Sequence, residues 1–225
     1  MSNKQEILGE NPIFISSPRI AERSRFLLTI NIFWGKILEM KIIAGKAKGR
    51  NVKANNRFAT RPTLSRVKTS LFDMLGDKVK EAYFLDLYSG TGNIGLEALS
   101  RGAKKVIFIE NNSTQVKVIK YNISALNFSK EETFVYKRDV LKTIGILSQK
   151  EEFDIVYLAP PFLKDLCLPT LFALSKNKIL KINGIIGIEH HKKEILPEMI
   201  ETLRLIRQKR YGDIMISFYG RGQHE

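Results

Sequence analysis

The residues best suited to chemistry lie in the run Asp86-Leu87-Tyr88-Ser89-Gly90-Thr91-Gly92-Asn93-Ile94-Gly95, which closes a short apolar stretch. Glycines at 90, 92 and 95 match G-x-G-x-x-G, a spacing that lets a ligand approach the backbone closely. The pattern alone serves a nicotinamide dinucleotide and S-adenosylmethionine equally. Asp86 stands four residues before the first glycine. A carboxylate there repels a pyrophosphate and suits a ligand ammonium, which favours S-adenosylmethionine. Glu110 ends the next apolar stretch, 24 residues after Asp86, where it can accept hydrogen bonds from ribose hydroxyls of either ligand. Asp139 ends a third stretch; it can accept from an adenine amino group, cap the helix that follows, or do both.

Such residues need a scaffold that gathers strand ends from distant parts of the chain. Tyr83–Leu87 reads as a strand, Ile94–Arg101 as a helix ended by Gly102, and Lys105–Ile109 as a strand. Ser113–Leu126 reads as a helix, Thr133–Lys137 as a strand and Val140–Ser148 as a helix. Phe153–Leu158 and Ile185–Glu189 read as strands, Cys167–Ser175 and Glu194–Leu203 as helices. Leu205–Arg210 and Ile214–Tyr219 form a closing hairpin around Gly212-Asp213. This alternation predicts an α/β fold, a mostly parallel sheet with helices on both faces. Upstream, Lys41–Ala44 and Asn51–Ala54 flank a basic turn as a hairpin. Thr63 then caps a helix with apolar positions Val67, Leu71, Met74 and Leu75.

The chain has 225 residues, enough for one domain with an appendage. Its single cysteine, Cys167, excludes an intramolecular disulfide and a multi-cysteine metal centre, and fits a reducing, cytoplasmic setting. His190 and His191 are adjacent on a strand and point to opposite faces, so no metal site is expected. Lys and Arg number 37 against 23 Asp and Glu, a net charge of +14 that favours a polyanionic partner. The excess is uneven. Residues 1–39 carry a net +1, residues 40–80 a net +9 and residues 81–225 a net +4. We expect a poorly structured extension over 1–39, a basic docking hairpin and helix over 40–80, and a ligand-binding core over 81–225. Phe26–Leu38 is apolar but shorter than the roughly 20 residues of a membrane span, so no membrane partner is expected.

From Met40 onward the chain resembles the RsmD-type bacterial 16S ribosomal RNA guanine-N2 methyltransferases. The resemblance is carried by Met40–Gly45 with Gly49-Arg50, Thr60-Arg61-Pro62-Thr63 with Arg66-Val67-Lys68 and Leu71-Phe72, then Asp86–Gly92 and Gly95–Ala103. Phe153-Asp154 and Lys209-Arg210-Tyr211-Gly212-Asp213 extend it. It implies a Rossmann-like class I methyltransferase fold with a seven-stranded sheet and S-adenosyl-L-methionine as methyl donor. The implied substrate is guanine 966 of 16S rRNA, within the assembling 30S subunit, and the implied state is a monomer. Cofactor contacts fall on Asp86, Tyr88, Gly90, Gly92, Glu110, Asn111, Asp139 and Val140. RNA contacts fall on Lys46, Lys48, Arg50, Lys53, Arg61 and Arg66.

Enzymes that methylate an exocyclic amino group use an Asp/Asn/Ser-Pro-Pro-aromatic turn after the fourth strand. The polar side chain and a backbone carbonyl accept the amino hydrogens and draw the lone pair toward the methyl group. The ring stacks on the extruded base. Here the catalytic turn reads Ala159-Pro160-Pro161-Phe162. The prolines and ring are present, but Ala159 cannot accept a hydrogen bond. Two expectations follow: an enzyme that works through the Pro160 carbonyl and another acceptor, or a catalytically impaired protein of the same fold that still binds RNA.

Overall fold

The computed structural model describes residues 40–54 and 65–221. The expected extension over 1–39, the Thr63 cap and Arg61 lie outside them. A two-residue ladder opens the structure, β1 (Met40–Lys41) against β2 (Asn51–Val52), followed by α1 (Ser65–Leu75). The central elements are β3 (Tyr83–Leu87), α2 (Asn93–Ser100), β4 (Lys105–Glu110), α3 (Ser113–Ala125) and β5 (Thr133–Lys137). They continue as α4 (Val140–Ser148), β6 (Phe153–Leu158), α5 (Cys167–Lys176) and β7 (Leu180–His191). The chain closes with β8 (Met199–Ile200), β9 (Leu203–Tyr211) and β10 (Ile214–Arg221).

The main sheet runs β5-β4-β3-β6-β7-β10-β9-β8. Strands β3 to β7 pair in parallel, and β10, β9 and β8 add antiparallel pairings. This is the expected Rossmann-like α/β architecture, with one addition. A two-residue eighth strand, β8, caps the edge of the seven expected.

Alternation along each strand sorts the core into two halves. Phe84, Val106, Phe108, Ile155, Tyr157, Ile216 and Phe218 face a cluster that also holds Val67, Leu71 and Phe72 of α1 and Leu96 and Leu99 of α2. Leu85, Leu87, Ile107, Ile109, Val156, Leu158, Ile186 and Ile188 face the other side, against Ile144 of α4 and Leu171 of α5. Two-sided burial explains why these strands are nearly continuous apolar runs.

One expected element is corrected. Glu194–Leu203 is not a helix. Leu196, Ile200 and Leu203 keep helix-like spacing and are buried, but Pro197 offers no backbone donor and Glu201 sits at φ +52. The segment turns instead, pairing Met199–Ile200 with β9, and leaves Ile195 at 90% exposure.

Candidate active site

The carboxyl ends of β3, β4, β5 and β6 form one edge of the sheet, where open α/β folds bind ligands. Asp86 lies at the end of β3, 1% exposed, and its Oδ2 accepts the Gly95 N–H at 3.0 Å. Burial pushes its carboxyl up to about 8. The Gly95 bond opposes that shift and the charge of Glu110 adds to it. The side chain therefore pins the first turn of α2. It also places under the loop a desolvated acid that a ligand ammonium would ionise.

The loop between β3 and α2 is shaped by its glycines. Gly92, at φ +80, is the N-cap of α2. A Cβ on Gly95 would stand 2.3 Å from the Phe108 ring, so only glycine lets α2 lie this close to β4. Tyr88 holds φ +58 without being glycine, a strained conformation at the mouth of the loop. Its hydroxyl shares a 2.9 Å hydrogen bond with Thr170 of α5.

Glu110 ends β4 and braces the same loop. Its Oε2 accepts the Gly90 N–H and its Oε1 the Asn112 N–H, both at 2.8 Å. Each oxygen keeps a lone pair for a ribose hydroxyl. Asn111 beside it is exposed, and Asn112 caps α3 by accepting from the N–H groups of Thr114 and Gln115. Asp139 is exposed and caps α4, its Oδ1 accepting the Lys142 N–H at 3.0 Å, while Val140 is buried. Gly90, Tyr88, Glu110 and Asp139 thus share one edge, as the spacing predicts.

The Ala159–Phe162 turn follows β6 on that edge. Ala159 and Phe162 pack on the α1-side cluster, Pro160 is buried and Pro161 exposed. Phe162 meets the His191 ring edge-on, with centroids 6.0 Å apart. The β6–β7 ladder ends where Leu158 pairs with Ile188, and Glu189 is the next residue of β7. Glu189 is buried and accepts the Tyr157 hydroxyl at 2.9 Å.

The basic hairpin stands elsewhere. Its turn is held against the last residue of α2: the Lys46 N–H donates to Ser100 O at 2.7 Å and the Ala47 N–H to Ser100 Oγ at 2.9 Å. Lys46 bridges Glu132, just before β5 begins, and lies over the Phe128 ring. The Arg50 guanidinium donates to the carbonyls of Ala125 and Leu126 at the end of α3. These partners sit at the amino-terminal edge of the parallel strands, opposite the glycine loop. Lys48 is exposed on the same turn. Lys53 returns toward the site, since Asn122 accepts its N–H and donates to Lys53 O and to Thr91 O in the glycine loop. Arg66, on the first turn of α1, is exposed.

One network has no counterpart in the motif reading. Lys68, 2% exposed, donates to Lys41 O at 2.7 Å and Asn93 Oδ1 at 2.9 Å, and pairs with Glu97 at 3.0 Å. Glu97 is fully buried and also accepts the N–H groups of Ile43 and Ala44 and the Arg101 Nε. Burial pulls the Lys68 pKa down and Glu97 opposes it. The signal in the sequence was faint. Lys68 shares a helical face with Phe72 and Leu75, and Glu97 is a lone acid in Gly-Leu-Glu-Ala-Leu-Ser.

Comparison with known proteins agrees with this geometry. The family model described as Conserved hypothetical protein 95 matches residues 40–220. The Ribosomal RNA small subunit methyltransferase D of Haemophilus influenzae is 35% identical over 183 residues, covering 80% of this chain and 93% of that one. A crystal structure from the same organism superposes with TM-score 0.70 at 33% identity, over 82% of this chain and 99% of that one. At 13% identity the fold alone is shared with SMU.776, solved in complex with SAH (TM-score 0.60, covering 75% of this chain and 52% of that one). The chain belongs to the Conserved hypothetical protein 95 family, the family of the ribosomal RNA small subunit methyltransferases D.

Proposed function

We propose that this protein is an S-adenosylmethionine-dependent rRNA methyltransferase that methylates N2 of a guanine in small-subunit ribosomal RNA. The position implied by its family is guanine 966, presented in an assembling 30S subunit. The reading is carried by one observation. The buried acid Asp86, the loop-bracing acid Glu110 and the Pro160-Pro161-Phe162 turn converge on one edge of the sheet.

The donor, when bound, supplies an activated methyl group, so the protein has to align a nucleophile and exclude water. Glu110 and Asp139 would hold the ribose and adenine, and Asp86 the ammonium. Phe162, propped by His191, would stack on the extruded guanine. The Pro160 carbonyl would accept one amino hydrogen. Ala159 leaves the second without its usual acceptor, and Glu189, which follows Ile188 where the β6–β7 ladder ends, is a buried carboxylate on that side. Losing one preorganised acceptor costs about 10²–10³ in rate. Turnover is therefore slow but present.

The test supplies under-methylated 30S subunits and labelled S-adenosylmethionine, then digests the RNA to nucleosides. N2-methylguanosine is expected, and label in no nucleoside overturns the reading. Ala159 supports a second reading, a protein that binds rRNA without turnover. It predicts no label with the natural chain and restored label with Ala159→Asp.

A further inference from the structure

We propose that the rRNA substrate is gripped along the rim formed by the β9–β10 hairpin and the first turn of α1, not by the turn of the β1–β2 hairpin. This rests on the rRNA methyltransferase reading above and adds where the RNA lies. The register places the rim. Ile214 pairs with His191, so the Gly212-Asp213 turn projects past the carboxyl end of β7. Strand β7 runs parallel beside β6, with Leu158 opposite Ile188. The hairpin turn and the Pro160-Pro161-Phe162 turn therefore share one edge of the sheet. The Phe162–His191 ring contact joins the Phe162 turn to the end of β7, where His191 pairs with Ile214 of the hairpin.

The rim is tied to α1. The Tyr211 hydroxyl donates to Ser70, and Arg66 Nη2 lies 3.9 Å from where a Cβ on Gly212 would stand. Its cations are exposed, Lys209 on the α1 face of β9 with Tyr211 and Arg210 on the opposite face beside the turn. Lys193, Lys209 and Arg210 are exposed and form no ion pair among the described residues. Lys209 rests over the Tyr211 ring, with 5.4 Å to its centroid. Arg210 Nε donates to Gly212 O at 2.8 Å, which fixes the guanidinium and leaves its terminal amino groups for a ligand. The acids of the rim are largely occupied. Lys192 bridges Asp213 at 2.9 Å, and Glu194 accepts the His191 N–H at 3.0 Å.

An extruded base on Phe162 requires its flanking phosphates to be held nearby, and fixed guanidinium groups suit phosphate oxygens. Lys46 and Arg50 fail the first condition, because they stand at the opposite edge, Lys46 on Glu132 and Arg50 on helix-end carbonyls that occupy its guanidinium.

The experiment measures binding of under-methylated 16S rRNA across a salt series, with S-adenosylhomocysteine affinity and thermal unfolding as controls. Lys209→Ala with Arg210→Ala should weaken RNA binding roughly tenfold or more at 0.1 M salt. It should also lower the slope of log affinity against log salt by about 1.4–1.8, while both controls hold. Lys46→Ala with Lys48→Ala should leave RNA binding unchanged. Loss of binding in the second pair with none in the first overturns the rim placement. A natural chain that does not bind rRNA at all overturns the functional reading, and the rim proposal with it.

Discussion

The two hairpins of this protein carry similar charge and use it differently. In the β1–β2 hairpin Lys46 and Arg50 are engaged by other parts of the fold, while Lys48 stays exposed. Arg50 satisfies carbonyls at the end of α3, Lys46 bridges Glu132, and the backbone of Ile43 and Ala44 hangs on the buried Glu97. In the β9–β10 hairpin, Lys209 and Arg210 stay exposed beside the Phe162 turn. Charge density along the chain is not charge density in space. Residues 40–80 hold most of the net charge, yet several of those cations serve helix ends and ladders at the far edge of the sheet.

The contrast breaks most severely at its anchor. Lys68→Ala leaves Glu97 buried with less compensation and should destabilise the fold by about 3–5 kcal/mol in denaturant titration. A smaller loss would mean that Arg101 and the two backbone donors suffice for Glu97. Next comes Asp86, a buried acid with one backbone donor and no cation among the described residues. Its folded pKa is raised from 3.8 to about 8, chiefly by burial. The folded state therefore keeps a proton that the unfolded state releases, and stability falls as pH rises from about 4 to about 8. Thermal unfolding of Asp86→Asn should show a flatter pH dependence across that window, and an unaltered profile would remove Asp86 as its source.

Arg50→Ala should lower stability by about 1–2 kcal/mol and leave rRNA affinity unchanged, the mirror image of the rim pair. The smallest effect is expected from Tyr88→Phe, about 1 kcal/mol or less in stability, because only the Thr170 hydrogen bond is lost.

Much of this was legible in the residues. Apolar runs buried on both faces announced β3, β4, β6 and β7, and the glycine spacing placed Asp86 and Glu110 on one edge. The segment 194–203 misled because Leu196, Ile200 and Leu203 keep a helical interval while Pro197 and the left-handed Glu201 forbid a helix. The Lys68–Glu97 network was nearly invisible, since a charged residue on an apolar face reads as an exception until its partner is located. The rim was hidden for another reason. Lys209 and Arg210 lie 47 or more residues along the chain from Phe162, and only the β7–β10 register brings them to it.

The central claim is that the turn after β6 is a working methyl-transfer site lacking one acceptor. Its most direct test compares initial rates of labelled methyl incorporation into under-methylated 30S subunits for the natural chain and for Ala159→Asp. The account predicts slow incorporation by the natural chain and acceleration by about 10²-fold with the aspartate. No incorporation by the natural chain would contradict it, whether or not the aspartate restores activity.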